Sequence, residues 1–146
     1  MSASKTETNV GRIILEIGLA NNQDVQLHNA KMIPADQVRK IRLEATIDTG
    51  ANHVVLPTAI AAFLGLQKSG EAGVRYADGR TARKDTVDQV ELELLGRKGT
   101  FRALLEPDRT TALVGAIVLE DLDMLVDCTK QRVYPRDPER IIAEME

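Results

Sequence analysis

The feature that most limits the fold is an alternating segment, residues 40–47, that runs directly into Asp48-Thr49-Gly50. Its apolar residues take every second position: Ile41, Leu43, Ala45 and Ile47. This period of two predicts a half-buried strand. Gly50 permits a tight turn with close backbone approach, and a second apolar run follows at 54–56. The sequence therefore predicts a strand–turn–strand unit with a carboxylate at its turn.

Short strand-like runs separated by turn signals recur along the rest of the chain. Examples lie at 10–19, 25–32, 89–95 and in a pair at 124–126 and 132–134. Helices are predicted at 57–66, which starts with a proline, and at 116–122. About nine short strands with one or two short helices are typical of a mainly β domain, either a barrel or a sandwich.

The composition is that of a single globular domain. A length of 146 residues fits one domain, and 43% hydrophobic residues are enough for a packed core. We expect a flexible tail at 1–9, the domain at 10–136, and a tail or short helix at 137–146.

Charge and hydropathy exclude several partners and locations. The net charge of -3 has neither sign concentrated, so we expect no nucleic-acid partner. Cys128 is the one cysteine, which excludes an intrachain disulfide. No apolar run approaches the ~20 residues of a membrane span, and the polar start lacks a signal peptide. We therefore expect a cytoplasmic protein without a membrane partner.

Other catalytic chemistries find little support. Serine occurs only at positions 2, 4 and 69, without a Gly-x-Ser-x-Gly motif. His28 and His53 are isolated and lack metal-ligand spacing, and no glycine-rich phosphate loop is present. The expectation is therefore that the chain has no metal site and no cofactor.

A carboxylate on a tight turn suits hydrolysis by a pair of acids. An ionised carboxylate takes a proton from water while its protonated neighbour polarises the scissile carbonyl. The chain has one Asp-Thr-Gly, and Asp127, the other aspartate after an apolar run, is followed by Cys128-Thr129. A two-fold interface would place the same residue from two copies on the axis, so we expect a homodimer.

The segment at 45–57, ATIDTGANHVVLP, closely resembles the active-site loop of retroviral-type (retropepsin-like) aspartic proteases and their bacterial relatives. The resemblance implies a closed β-barrel of the acid-protease fold, with one lobe per chain. It also implies an aspartic endopeptidase in which Asp48 is catalytic and Thr49, Gly50 and Ala51 form the active-site loop. Thr49 would then hydrogen-bond across the dimer axis.

Two further segments resemble this family, and the similarity extends over about 10–135. The first resembles the flap that covers substrate: Tyr76, Ala77, Asp78, Gly79 and Arg80. The second resembles the hydrophobic-glycine element that precedes a helix: Leu113, Val114 and Gly115. Their order is similar to that of small single-domain bacterial members. Ala116-Ile117 departs from the pattern, since many relatives carry a polar residue there that braces the dimer.

The resemblance implies two partners, a second copy of the chain and an extended peptide or protein substrate. An alternative keeps the fold without the activity, as an inactive dimerisation or peptide-binding module, because fold alone does not establish function. The separation of the two Asp48 carboxylates in a dimer discriminates between these hypotheses.

Overall fold

The structure is a computed structural model that describes residues 12–139 and 143–145, so the expected tail at 1–9 lies outside it. The described strands are β1 (Arg12–Asn21), β2 (Lys40–Asp48), β3 (Val54–Pro57), β4 (Lys68–Arg75), β5 (Thr81–Leu94), β6 (Arg97–Glu106), β7 (Ala112–Val114), β8 (Met124–Asp127) and β9 (Arg132–Pro135). The described α-helices are α1 (Asn22–Asn29), α2 (Thr58–Phe63) and α3 (Ala116–Asp121). The prediction of a mainly β domain is confirmed.

Six strands close into a barrel. The large sheet has the order β1-β2-β7-β3-β6-β5-β4, and β1 also pairs with β5, which joins the ends of the ring. Strand β4 lies outside this ring, where it pairs with β5 as an antiparallel hairpin. The closed barrel expected from the sequence is therefore confirmed.

The barrel interior is aliphatic. Its fully buried side chains include Ile17, Ile47, Leu56, Leu92 and Val114. The buried face of β2 is the one predicted from the sequence: Ala45 and Ile47 are buried, while Glu44 is exposed. Burying a Leu, Ile or Val side chain contributes about 1.5–3 kcal/mol, so this core is the main stabilising element of the barrel.

The strand expected at 25–32 is wrong, because Asn22–Asn29 forms helix α1. Asn21 caps this helix: its side-chain oxygen accepts a hydrogen bond from the Asp24 amide at 3.2 Å. An asparagine cap satisfies an amide that lacks a partner within the helix. The segment 22–29 contains only two apolar residues, Val25 and Leu27, which is too little apolar surface to favour a strand over the capped helix.

An ion pair between buried Asp24 and half-exposed Arg39 fixes α1 to the chain that follows it. The Asp24 carboxylate accepts hydrogen bonds from Arg39 Nε at 2.8 Å, Arg39 Nη2 at 3.0 Å and the Arg39 amide at 3.0 Å. These hydrogen bonds from Arg39 hold the pKa of Asp24 below its ordinary value, against the opposing effect of burial. The pair therefore anchors the helix that sequence patterning missed.

The end of the described chain packs against the barrel. Strands β8 and β9 form the predicted pair as a separate two-stranded sheet. Buried Arg97 donates to the carbonyls of Leu122 at 2.8 Å and Asp137 at 2.6 Å. Residues 137–139 and 143–145 are not helical, and 140–142 and 146 lie outside the described residues. The longest helix in the described ranges has eight residues, too short to span a membrane.

Candidate active site

Asp48 is the last residue of β2, and its carboxylate is held by the turn that follows. The Gly50 amide donates to Asp48 Oδ1 at 3.0 Å, and the Ala51 amide donates to the Asp48 carbonyl at 3.1 Å. Asp48 is half-buried, whereas Thr49 and Gly50 are exposed at the turn. The predicted strand–turn–strand unit is present, and it presents one oriented carboxylate.

The hydrophobic-glycine element lies directly behind this turn. Strand β7 pairs with β2 on one side, where Val114 is opposite Ile47, and with β3 on the other. The first amides of α3 then bond the active-site loop: Ala116 donates to the Ala51 carbonyl at 2.8 Å and Ile117 to the Asn52 carbonyl at 3.0 Å. Leu113, Val114 and Gly115 therefore support the loop that carries Asp48.

A groove of ≈ 740 Å³ starts at Asp48 and runs across the outer face of the barrel. Its floor is apolar, formed by Val55, Leu104 and Leu113 from three neighbouring strands. Ala72, Val74 and Tyr76 of the β4–β5 hairpin line the groove as well. Polar and charged side chains also line the groove, so it combines apolar surface with groups that can orient a ligand.

The predicted flap is the turn of this hairpin. The Tyr76 amide donates to the Arg80 carbonyl at 2.8 Å, and the Gly79 amide donates to the Tyr76 carbonyl at 2.9 Å. Gly79 has φ 88°, a left-handed conformation that glycine adopts without strain. Arg80 Nε pairs with Asp78 at 2.7 Å on the exposed side. Of the five flap residues, Tyr76 and Ala77 line the groove.

Tyr76 is tethered to the barrel by residues that the sequence did not indicate. Its hydroxyl donates to Glu106 Oε1 at 2.9 Å, and Lys84 Nζ lies 3.3 Å from Glu106 Oε2. Hydrogen bonds to Tyr76 and then to Glu106 raise the pKa of Lys84. Arg80 also lies over the Tyr76 ring, 5.1 Å from its centre. No local pattern relates Tyr76 to Glu106, because thirty positions separate them.

The described residues offer no cluster of three or more His, Cys, Asp or Glu side chains placed to hold a metal ion. His53 is exposed and lines the groove beside the active-site loop, while His28 Nδ1 lies 3.1 Å from the Ile33 carbonyl oxygen. Cys128 is exposed in the turn between β8 and β9.

A comparison with sequence models of protein families assigns the chain to a family. The sequence model of the family described as "gag-polyprotein putative aspartyl protease" matches residues 37–121, more than half of the chain. The chain belongs to this family. The match contains the Asp48 loop, the flap hairpin and β7 with α3.

Solved structures of viral proteases are similar to this aspartyl protease family member. EIAV protease complexed with the inhibitor HBY-793 is 26% identical, with a TM-score of 0.48 over 56% of this chain and 77% of that one. Simian Foamy Virus (mac) protease is 20% identical, with a TM-score of 0.40 over 51% and 76%. Foamy viral protease-reverse transcriptase with an RNA/DNA hybrid is 22% identical, with a TM-score of 0.42 over 51% and 9%. No curated protein matches the chain significantly.

Proposed function

We propose that the protein is an aspartic endopeptidase that works as a homodimer, with Asp48 of each copy supplying one carboxylate of the catalytic pair. The observation that carries the proposal is the position of Asp48. Its carboxylate, oriented by the Gly50 amide at 3.0 Å, lies in a groove that has an apolar floor and is also lined by the predicted flap hairpin. Membership of the aspartyl protease family supports the same chemistry.

The reaction is hydrolysis of a peptide bond. The ionised Asp48 of one copy takes a proton from water, whose oxygen attacks the scissile carbonyl carbon, while the protonated Asp48 of the other copy transfers its proton to the carbonyl oxygen. A tetrahedral diol forms. The proton taken from water then passes from the first carboxyl group to the amide nitrogen, and the C–N bond breaks. One hydroxyl of the diol returns its proton to the other Asp48, so an acid and an amine leave and the carboxyl pair is restored.

A dimer is proposed because one chain has one Asp-Thr-Gly. Two residues beside the active-site loop are compatible with contact to a second copy: Thr49 is exposed at its tip, and Ile117 of α3 is 45% exposed. Many relatives have a polar residue at one of the two positions Ala116 and Ile117, whereas the apolar side chain of Ile117 would be covered by an apolar contact. A closed two-fold interface buries the same surface on both copies.

A peptide library incubated with the wild type and with Asp48→Asn tests the activity. We expect cleavage by the wild type and none by the variant, because Asn is nearly isosteric with Asp but cannot accept the proton. Comparable turnover by both proteins would exclude the mechanism. Specific peptide binding by the wild type without any cleavage would favour the inactive binding module.

Assembly is tested by dilution and sedimentation. Only the dimer contains a pair, so activity per chain should fall as the protein is diluted below the dissociation constant. A sedimenting monomer with full activity would contradict the shared site.

A further inference from the structure

The groove contains more charge than the proposed hydrolysis uses. Two of its lining residues carry carboxylates, Asp48 and Glu106. Its basic lining residues are His53, Arg75, Arg102 and Arg109. Asp48 takes part in the proposed hydrolysis. The charge that the groove offers to a substrate therefore depends on whether the other charged side chains are already paired within the protein.

Glu106 is engaged within the protein. One of its oxygens accepts the Tyr76 hydroxyl at 2.9 Å, and the other lies 3.3 Å from Lys84 Nζ. A carboxylate with a hydrogen bond on one oxygen and a cation beside the other is compensated, and it has little remaining attraction for a substrate cation. Glu106 therefore does not make the groove acidic.

Two of the three arginines are engaged elsewhere or face outward. Arg102 Nε pairs with Asp88 at 2.8 Å, and both side chains are largely exposed. Arg75 is exposed at the end of β4, where the alternating burial turns Ala72 and Val74 inward and Arg75 outward. Arg102 is therefore compensated by a carboxylate, and Arg75 is more exposed to solvent than a half-buried guanidinium, which weakens its attraction for a substrate carboxylate.

Arg109 differs from both. It is half-buried in the loop between β6 and β7, and its Nε donates to the Thr111 carbonyl at 3.0 Å. Its amide also donates to the Glu106 carbonyl at 3.3 Å. Among the described residues the guanidinium has no carboxylate partner, and the neighbouring Asp108 is exposed and does not line the groove. The bond through Nε fixes the side chain and leaves its two terminal nitrogens for a ligand.

We propose that the groove selects peptides with an acidic side chain, and that Arg109 is the residue that binds it. This inference rests on the proposed function and names its substrate class. A guanidinium fixed through one nitrogen can bind a carboxylate through the other two, with little conformational entropy lost on binding. A hydrogen bond to a charged group of this kind corresponds to about a tenfold preference for Glu over Gln.

The test uses matched peptides in which one glutamate or glutamine is placed at each of four positions on either side of the cleaved bond. The wild type should cleave one glutamate peptide with about tenfold higher kcat/KM than its glutamine counterpart, and the difference should shrink as salt is raised. Arg109→Gln should abolish the preference, Arg109→Lys should retain part of it, and Arg109→Glu should favour lysine at that position.

Arg42→Gln is the matched control. It makes the same change in net charge at an exposed residue that pairs with Glu16 and Glu93 near the opposite end of β2 from Asp48. Arg42 and Asp48 are six positions apart along β2, which corresponds to about 20 Å. The control should keep the glutamate preference. Equal cleavage of every glutamate and glutamine pair by the wild type, or a preference that survives Arg109→Gln, would overturn the inference.

Binding of the same peptides to the Asp48→Asn protein separates this inference from the proposed function. Preferential binding of a glutamate peptide without wild-type cleavage would support acidic recognition and reject the protease. Cleavage with no preference at any position would support the protease and reject Arg109 as its specificity residue. Failure of every acidic peptide to bind or be cleaved would overturn the inference as well.

Discussion

Gly115 lies so close to Asn52 that a Cβ atom added to the glycine would be 2.6 Å from the Asn52 carbonyl carbon. The same atom would lie 2.7 Å from the Ala51 carbonyl oxygen and from the His53 amide nitrogen. Three backbone atoms of the active-site loop therefore require glycine at this position. The contact explains why a hydrophobic-glycine element accompanies the Asp48 loop. The first amides of α3 can hydrogen-bond the loop only if residue 115 has no side chain.

The first prediction is that Gly115→Ala damages catalysis more than it damages the fold. The Cβ atom would push the loop outward and displace the Asp48 carboxylate, while overpacking of this kind costs about 1–3 kcal/mol of stability. Misplacement by about 1 Å can cost on the order of 100-fold in rate. We expect kcat to fall by about that factor in a variant that remains folded, as measured by peptide cleavage and urea unfolding.

Gly70→Ala is the control for that substitution. An added Cβ at Gly70 meets only Thr86 Oγ1 at 3.7 Å, an ordinary contact, and Gly70 lies in β4 outside the residues that line the groove. It should retain nearly full activity. An equal loss of kcat in the two variants would show that the tight packing at Gly115 does not position the loop.

The strand and turn around Asp48 could be predicted because both depend on local pattern. Alternation in β2 and the glycine at 50 act over a few residues, and the structure has the predicted arrangement. The flap turn and the Gly115 element followed from short motifs in the same way. These elements are the ones whose sequence signals lie within one supersecondary unit.

Two features could not be predicted, for different physical reasons. Helix α1 depends on a cap at Asn21 and on the pair between Asp24 and Arg39, fifteen positions apart, and these outweighed the strand-like reading of 25–32. The Tyr76–Glu106 tether joins the flap to the end of β6. Its partners meet only after the barrel closes, so no period or motif indicates it.

The second prediction concerns the proposed dimer. Thr49 is exposed at the tip of the active-site loop, where the resemblance to retropepsins places a hydrogen bond across the two-fold axis. Thr49→Val should weaken dimerisation, because each buried group left without its partner costs about 1–3 kcal/mol and the axis repeats the loss. Sedimentation equilibrium should give at least a tenfold higher dissociation constant. Thr100→Val changes an exposed position of β6 and should leave the dissociation constant unchanged. An unaltered dissociation constant in Thr49→Val would show that Thr49 does not lie at the two-fold axis.

The third prediction is a pH dependence of stability that originates at Asp24. Because Arg39 lowers the folded-state pKa of Asp24, the ion pair stabilises the protein fully above the unfolded value of about 3.9. This contribution is lost as the pH falls through the lowered folded value. Asp24→Asn should therefore destabilise the fold at pH 7, by about 1–3 kcal/mol since Arg39 is 50% exposed. The difference from wild type should shrink in strongly acidic solution.

Urea unfolding at several pH values measures that difference. Asp36→Asn removes one carboxylate from an exposed position in the short 3-10 helix before β2, so it should have only a small effect on stability. A destabilisation of Asp24→Asn that is the same at acidic and neutral pH would mean that the charge of Asp24 is not what holds α1.

The last prediction is that the tether between Tyr76 and Glu106 sets substrate affinity. The hydroxyl bond at 2.9 Å holds the base of the flap hairpin over the groove before substrate arrives. Without it, binding must order the hairpin, and that cost appears in KM, whereas kcat changes little once bound substrate holds the hairpin closed. We expect Tyr76→Phe to raise KM by about three- to tenfold, and amide exchange at Gly79 to accelerate.

Tyr134→Phe is the matched control, since Tyr134 is the other tyrosine of the chain and lies in β9, outside the groove lining. Removing its hydroxyl should leave KM and flap exchange unchanged. Glu106→Gln should reproduce part of the Tyr76→Phe effect, because an amide oxygen still accepts the hydroxyl but no longer carries the charge that attracts Lys84. If Tyr76→Phe alters kcat alone, or leaves flap exchange at the wild-type rate, the bond does not act through closure of the flap. The two readouts together therefore separate a tether that prepares the groove for substrate from a contact that only stabilises the hairpin.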